Sequence, residues 1–179
     1  MPGLLVVDDT AIIRSTIAKI VTREHLNITP IIEADNGEEA VRLAQEHRPD
    51  IVFMDIKMPG MNGLQATSLI RQDNPAAKIV MLTAYDEFSY VQEALKLGAV
   101  DYLLKPVRPN KIVEVISQIQ TLINEERTQQ QIFHETRQQL KKALPIIEAS
   151  LVDDLIFRQA PEPTLLKKNL RQLGKSIAA

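Results

Sequence analysis

The chain reads as an α/β protein: a doubly wound, five-stranded parallel sheet of order 2-1-3-4-5, flanked by helices and followed by a helical extension. Three observations predict this. Five short, mostly apolar runs (Leu4–Val7, Ile31–Ala34, Ile51–Met54, Ile79–Leu82 and Tyr102–Leu104) alternate with amphipathic stretches. Strict strand–helix alternation implies a parallel sheet with right-handed crossovers. The runs are near-continuously apolar, as strands covered on both faces are. Finally, Pro30 stands beside the second run. Its missing N–H is tolerated at a sheet edge, which is where this order places strand 2.

Each element has its own local signal. Thr10 can cap a helix whose apolar positions include Ile13, Ile17, Ile20 and Val21. Asn36 can cap a second helix running to about His47, and Asn62 a third with Leu64, Leu69 and Ile70 on one stripe. Phe88, Val91, Ala94 and Leu95 form a fourth stripe, ended by Gly98 as a C-cap. Pro109 suits the first turn of a fifth helix carrying Ile112, Val115, Ile116 and Ile119.

After residue 123 the pattern changes. Residues 124–131 are almost wholly polar, and neither Gly nor Pro occurs from Lys111 to Leu144, so the fifth helix can continue unbroken. Spacing by sevens gives Ile112, Ile119, Glu126, Phe133, Leu140 and Ile147. This imperfect seam permits a short parallel coiled coil and, with it, a homodimer. Pro145 is expected to restart the helix, Ala160-Pro161-Glu162-Pro163 to break it, and Thr164 to cap a last one. The reading is a domain over residues 1–123, a helical linker over 124–144, and the helical start of a following module over 145–179.

Composition narrows the function classes. Apolar residues make up 45% and charged residues 25% of 179, a globular profile. No apolar run approaches the roughly 18–20 residues that a spanning helix needs, and the N-terminus lacks the form of a secretory signal. Cysteine is absent, which excludes disulfides, thiolate metal sites and cysteine nucleophiles. A cytoplasmic location with no membrane partner is expected. The net charge of −2 is not basic enough to argue for nucleic-acid binding. His25, His47 and His134 are not spaced as a metal cluster.

The chemistry lies where the apolar runs stop. The first ends in Asp8-Asp9, the third in Asp55, the fourth in Thr83-Ala84 and the fifth in Lys105-Pro106. In a parallel sheet these ends share one rim, and ligands bind there, at the switch point between strands 1 and 3. Each residue alone has a plain reading as a cap, a loop carboxylate or a solvated charge; their convergence does not. Asp35, at the tip of strand 2, is read as turn and cap chemistry. Three gathered carboxylates need neutralising, and Mg²⁺ is a hard cation that prefers oxygen ligands. A carboxylate, a metal, an ammonium and a hydroxyl are suited to phosphoryl transfer onto oxygen.

These residues resemble the receiver domain of two-component response regulators. The resemblance spans about residues 3–123. It rests on Leu-Val-Val-Asp-Asp at 5–9, Ala-Asp-Asn-Gly-Glu-Glu-Ala at 34–40, Asp-Ile-Lys-Met-Pro-Gly-Met-Asn-Gly at 55–63, Met-Leu-Thr-Ala at 81–84 and Gly-Ala-Val-Asp-Tyr-Leu-Leu-Lys-Pro at 98–106. It implies a signalling switch and no enzyme acting on an outside substrate. Asp55 would accept a phosphoryl group from a sensor histidine kinase. Asp8, Asp9, Asp55 and the backbone carbonyl of Lys57 would hold Mg²⁺, while Thr83 and Lys105 would contact the phosphoryl oxygens. Tyr102 would be the switch aromatic, and Lys105-Pro106 a cis bond. Lys57 and Tyr85, each two residues beyond a site residue, are expected to border the site and tune dephosphorylation.

Residues 124–179 are similar, more weakly, to the segment after the receiver in regulators ending in an AraC-type helix-turn-helix pair, which is absent from this chain. The expectation is a portion of a transcriptional regulator that reaches DNA only through an output domain beyond residue 179. The alternative is a stand-alone receiver with a protein-binding helical tail. A third class, the haloacid-dehalogenase-like phosphatases, needs Asp-x-Asp at the nucleophile; this chain has Asp55-Ile56-Lys57.

Overall fold

The computed structural model describes residues 1–84 and 88–157. Its elements are β1 (Leu4–Val7), α1 (Ala11–Arg23), β2 (Ile31–Ala34), α2 (Gly37–His47), β3 (Ile51–Asp55), α3 (Gly63–Asp73), β4 (Lys78–Thr83), α4 (Phe88–Lys96), β5 (Asp101–Leu104) and α5 (Pro109–Phe157). All five strands pair in parallel in the order β2-β1-β3-β4-β5, as expected, with β2 at the edge beside Pro30.

The apolar runs are explained by what covers them. Successive strand residues point to opposite faces. Leu4, Val6, Ile51, Phe53, Val80 and Leu82 face one core with Ile17, Ile20 and Val21 of α1 and Ile112, Val115, Ile116 and Ile119 of α5. Leu5, Val7, Val52, Met54, Ile79 and Met81 face a second core with Leu43 of α2, Leu64 and Ile70 of α3, and Ala94 of α4. Neither sheet face meets water along β1, β3 and β4, so no polar alternation is required there; β2 and β5, at the two edges, depart from the expected double cover and expose Glu33, Tyr102 and Leu104.

Local signals hold at most helix ends. Asn36 accepts from the Glu39 amide at 2.8 Å. Asn62 and Gln65 form a reciprocal capping box at the start of α3. Gly98 follows α4 at φ +91°, the left-handed region that glycine tolerates. Thr10 departs from expectation: it occupies the N-cap position of α1 but makes no side-chain cap. Its hydroxyl donates instead to Asp9 Oδ1 at 3.1 Å. Leu69 and Leu95, expected on buried stripes, are exposed. The side chains of Phe88 and Val91 lie outside the described residues.

α5 corrects two expectations. It runs through Pro145 without restarting; a proline inside a helix removes one donor and can be carried where the flanking turns persist. The heptad seam does not begin at Ile112. Ile112, Val115 and Ile119 are spent in the core under the sheet, and Glu126 pairs with Lys78 at the start of β4, at 2.6 Å. A helix laid on its own sheet uses nearly the same spacing as a coiled-coil seam, and the spacing alone does not separate the two.

The chain divides into two compact units, residues 1–126 and 127–179. In the second, the helix exposes Ile132, Phe133, Leu140 and Leu144. The break at residues 160–163 and the last helix lie outside the described residues. No helix among the described residues is long and apolar enough to cross a membrane.

Candidate functional site

The strand tips meet as their order demands. Val7 is paired with Met54, so the residues that follow, Asp8 and Asp55, emerge side by side. Carboxylate oxygens of Asp8, Asp9 and Asp55 lie within 4.8 Å of one another, the one such acidic group among the described residues. Asp8 is fully buried and Asp55 is 5% exposed, whereas Asp9 is open to solvent.

Lys105 arrives from the far side. Its amide donates to Thr83 O at 2.8 Å, which fixes the end of β5 to the end of β4. Its Nζ lies 2.7 Å from Asp55 Oδ1 and 2.8 Å from Asp8 Oδ2. Lys105-Pro106 is cis. Thr83 is buried at the tip of β4, and its hydroxyl donates to Ala84 O at 3.2 Å. Thr83, Lys105 and the three aspartates therefore share one rim, as the sequence placed them.

α3 completes the wall. The Gly63 amide donates to Ile56 O at 3.0 Å, and a Cβ at Gly63 would stand 1.9 Å from the carbonyl oxygen of Asp55. Only a residue without a side chain lets the helix start so close to that backbone.

The electrostatics follow from burial. Desolvation pushes the Asp55 carboxyl up to about 6; the Lys105 ammonium opposes this, and the charges of Asp8 and Asp9 add to it. Burial works against the Lys105 ammonium too, but its pairs with Asp55 and Asp8 outweigh that and hold it above the usual lysine range. Asp8 Oδ2 has the ammonium as ion partner yet no hydrogen bond of good geometry. One ammonium paired with two of three gathered carboxylates, with a buried carboxylate oxygen lacking a hydrogen bond, fits a site that takes a further hard cation. Mg²⁺ matches an all-oxygen donor set of this kind.

Of the remaining expected residues, Lys57 is exposed, with Nζ 6.0 Å from the centroid of the Tyr90 ring. Tyr102 lies on β5, 41% exposed and paired with Met81. Tyr85 lies outside the described residues. Sequence reasoning missed Arg14, whose Nη1 donates to the Asp8 carbonyl at 2.7 Å. A signal was present: a cation in the first turn of a helix opposes the macrodipole and needs another employment.

Comparison with known proteins agrees with this geometry. Residues 4–117 match the family described as response regulator receiver domain. Chemotaxis protein CheY of Thermotoga maritima is 40% identical over 116 residues, covering 65% of this chain and 95% of that protein. Uncharacterized transcriptional regulatory protein YesN of Bacillus subtilis is 32% identical over 180 residues, covering 97% of this chain and 48% of that protein. Among solved structures, the REC domain of AraT, a response regulator from Geobacillus stearothermophilus, superposes with a TM-score of 0.67 at 40% identity. That match covers 70% of this chain and 98% of the AraT chain.

Proposed function

The chain belongs to the response regulator receiver family, and from that premise we propose that Asp55 is its phosphoacceptor, charged by a sensor histidine kinase. The family is a signalling family, and this chain is a receiver-type phospho-signalling switch rather than an enzyme with a substrate to turn over. The observation that carries the assignment to Asp55 is its setting: a nearly buried carboxylate, ringed by two others and touched by an ammonium at 2.7 Å.

The chemistry runs on this chain's own groups. An Asp55 carboxylate oxygen attacks the phosphorus of the phosphohistidine, the P–N bond breaks, and an acyl phosphate forms. Asp55 must be ionised to attack, and about 6 leaves it largely so at neutral pH. Lys105 would leave its carboxylate partners to neutralise the transferred oxygens, and the Thr83 hydroxyl would turn from Ala84 O to donate to them. Asp8, Asp9, Asp55 and the Lys57 carbonyl would hold Mg²⁺, which supplies further charge neutralisation when bound. Tyr102 would report the turn of Thr83 on the surface of β5, and Lys57 and Tyr85 would tune the rate at which the acyl phosphate is lost.

The output would be transcription, delivered by a DNA-binding region outside these residues, with the helical segment after residue 126 joining two copies. One similarity supports this: the match to YesN, described as an uncharacterized transcriptional regulatory protein, extends over nearly the whole chain, second unit included. The second reading, a stand-alone receiver with a protein-binding tail, draws on the chemotaxis relative, which is spanned almost entirely by the receiver match. A cytoplasmic setting suits both.

Mass spectrometry after treatment with acetyl phosphate and Mg²⁺ tests the assignment. One phosphoryl group is expected on the wild type and none on Asp55→Asn; a label that persists in the variant moves the acceptor elsewhere.

A further inference from the structure

Asp8 is held from four directions. Its amide donates to Ala34 O of β2 at 3.2 Å. Its Oδ1 accepts from the Thr10 amide at 2.9 Å, and its Oδ2 faces Lys105 at 2.8 Å. The fourth contact, from Arg14 Nη1 to its carbonyl oxygen, has no part in the chemistry above. Arg14 lies in the first turn of α1 with its side chain only 15% exposed. Its Nε pairs with Glu33 Oε2 at 3.2 Å. One planar guanidinium therefore spans α1, the edge strand β2 and the loop that presents both Asp8 and Asp9. Bonds with an ionised donor are directional and roughly twice as strong as neutral ones.

We propose that Arg14, seated on Glu33, is a positioning residue for the divalent-cation site: it fixes the backbone of the Asp8–Asp9 loop so that both carboxylates stay turned toward Asp55 against their mutual repulsion. This rests on the reading of the acidic triad as a Mg²⁺ site.

Two effects of opposite sign compete. As a charge, Arg14 repels a dication, and its removal would tighten binding. As a clamp, it preserves the ligand geometry, and its removal would weaken binding. Glu33 decides between them. With a carboxylate 3.2 Å from the guanidinium, the pair presents a dipole to the site, and a dipole's field decays faster than that of a lone charge. The clamp dominates. Groups that orient metal ligands without touching the metal change affinity about tenfold when lost, at the low end of their range.

The test is a calorimetric titration of Mg²⁺ into the metal-free full chain, for wild type, Arg14→Gln and Arg14→Lys, with thermal unfolding of each in EDTA. Arg14→Gln should raise the Mg²⁺ Kd about tenfold at a nearly unchanged melting temperature; a purely structural arginine would lower the melting temperature and leave the Kd of the folded protein alone. Arg14→Lys keeps the charge but loses the two-armed fork, and should weaken binding nearly as much. Should Arg14→Gln fail to fold, Glu33→Gln removes only the seat, at an exposed position, and should raise the Kd about threefold, the scale of an exposed ion pair. Equal or tighter binding by Arg14→Gln or Glu33→Gln, or wild-type affinity in Arg14→Lys, overturns the clamp while leaving the metal site standing. A wild-type chain that takes up no Mg²⁺ overturns the metal site itself, and the clamp with it.

Discussion

Burial sets the behaviour of Asp55 before any phosphate arrives. Its carboxyl ordinarily titrates near 3.8 and in the fold near 6. Between those values the folded state holds a proton that the unfolded state has released, so stability falls as pH rises across the window. Below it the group contributes nothing adverse; at pH 7 the cost is fully present in the metal-free protein. Asp55→Asn removes the charge that burial penalises. In EDTA at pH 7 it should therefore stabilise the fold by on the order of 1–3 kcal/mol, read by urea or thermal unfolding, and the gain should vanish below about pH 4. By the same linkage, protons and Mg²⁺ compete for one carboxylate, so the wild-type Mg²⁺ affinity should drop as pH falls through about 6. Calorimetry at pH 5 and pH 7.5 reads the change. The aspartates, Thr83 and Lys105 were legible in the sequence because each ends a strand-like run, and parallel strands bring such ends to one rim. The pairing of Arg14 with Glu33 was not: 19 residues separate them, and only the packing of α1 beside the edge strand brings them together.

At the scale of the element, polar caps were readable where one side chain meets one nearby amide, as at Asn36 and Asn62. Thr10 misled because its hydroxyl donates to the carboxylate of its neighbour Asp9, and in that orientation its oxygen accepts from no amide of the first turn. α5 misled for a different reason. Its periodicity was real, but periodicity does not name the surface it meets, and the sheet claimed Ile112 and Ile119. α3 yields a prediction of its own. Gly63→Ala places a methyl 1.9 Å from a backbone oxygen that has no rotamer to escape by. The helix must back away from Asp55, at a cost of about 3 kcal/mol or more. Denaturant unfolding should show the loss, and phosphorylation by acetyl phosphate should slow even in the fraction that remains folded, because the displaced carbonyl belongs to the acceptor residue.

For the whole molecule, both cores are built from residues of the first unit. Their last member is Ile123, and the Lys78–Glu126 pair follows within one turn. A chain ending at residue 126 should therefore unfold cooperatively, at a temperature close to that of the intact protein, and should still accept one phosphoryl group. Circular dichroism and mass spectrometry check the two halves of that statement, and a truncated chain that melts without cooperativity would contradict the first.

The sheet also acts as a partition. Val6 and Val7 are joined by a peptide bond, yet one packs with Ile20 and the other with Ile70. Steric strain relaxes through touching neighbours, and across this wall there are few. Trimming Ile20 and Ile70 together should thus cost the plain sum of the separate losses, whereas trimming Ile20 and Ile116, which share a compartment, should not. Kinship along the chain and kinship in energy are different relations here, and inheritance can tinker with either room while its neighbour stays furnished.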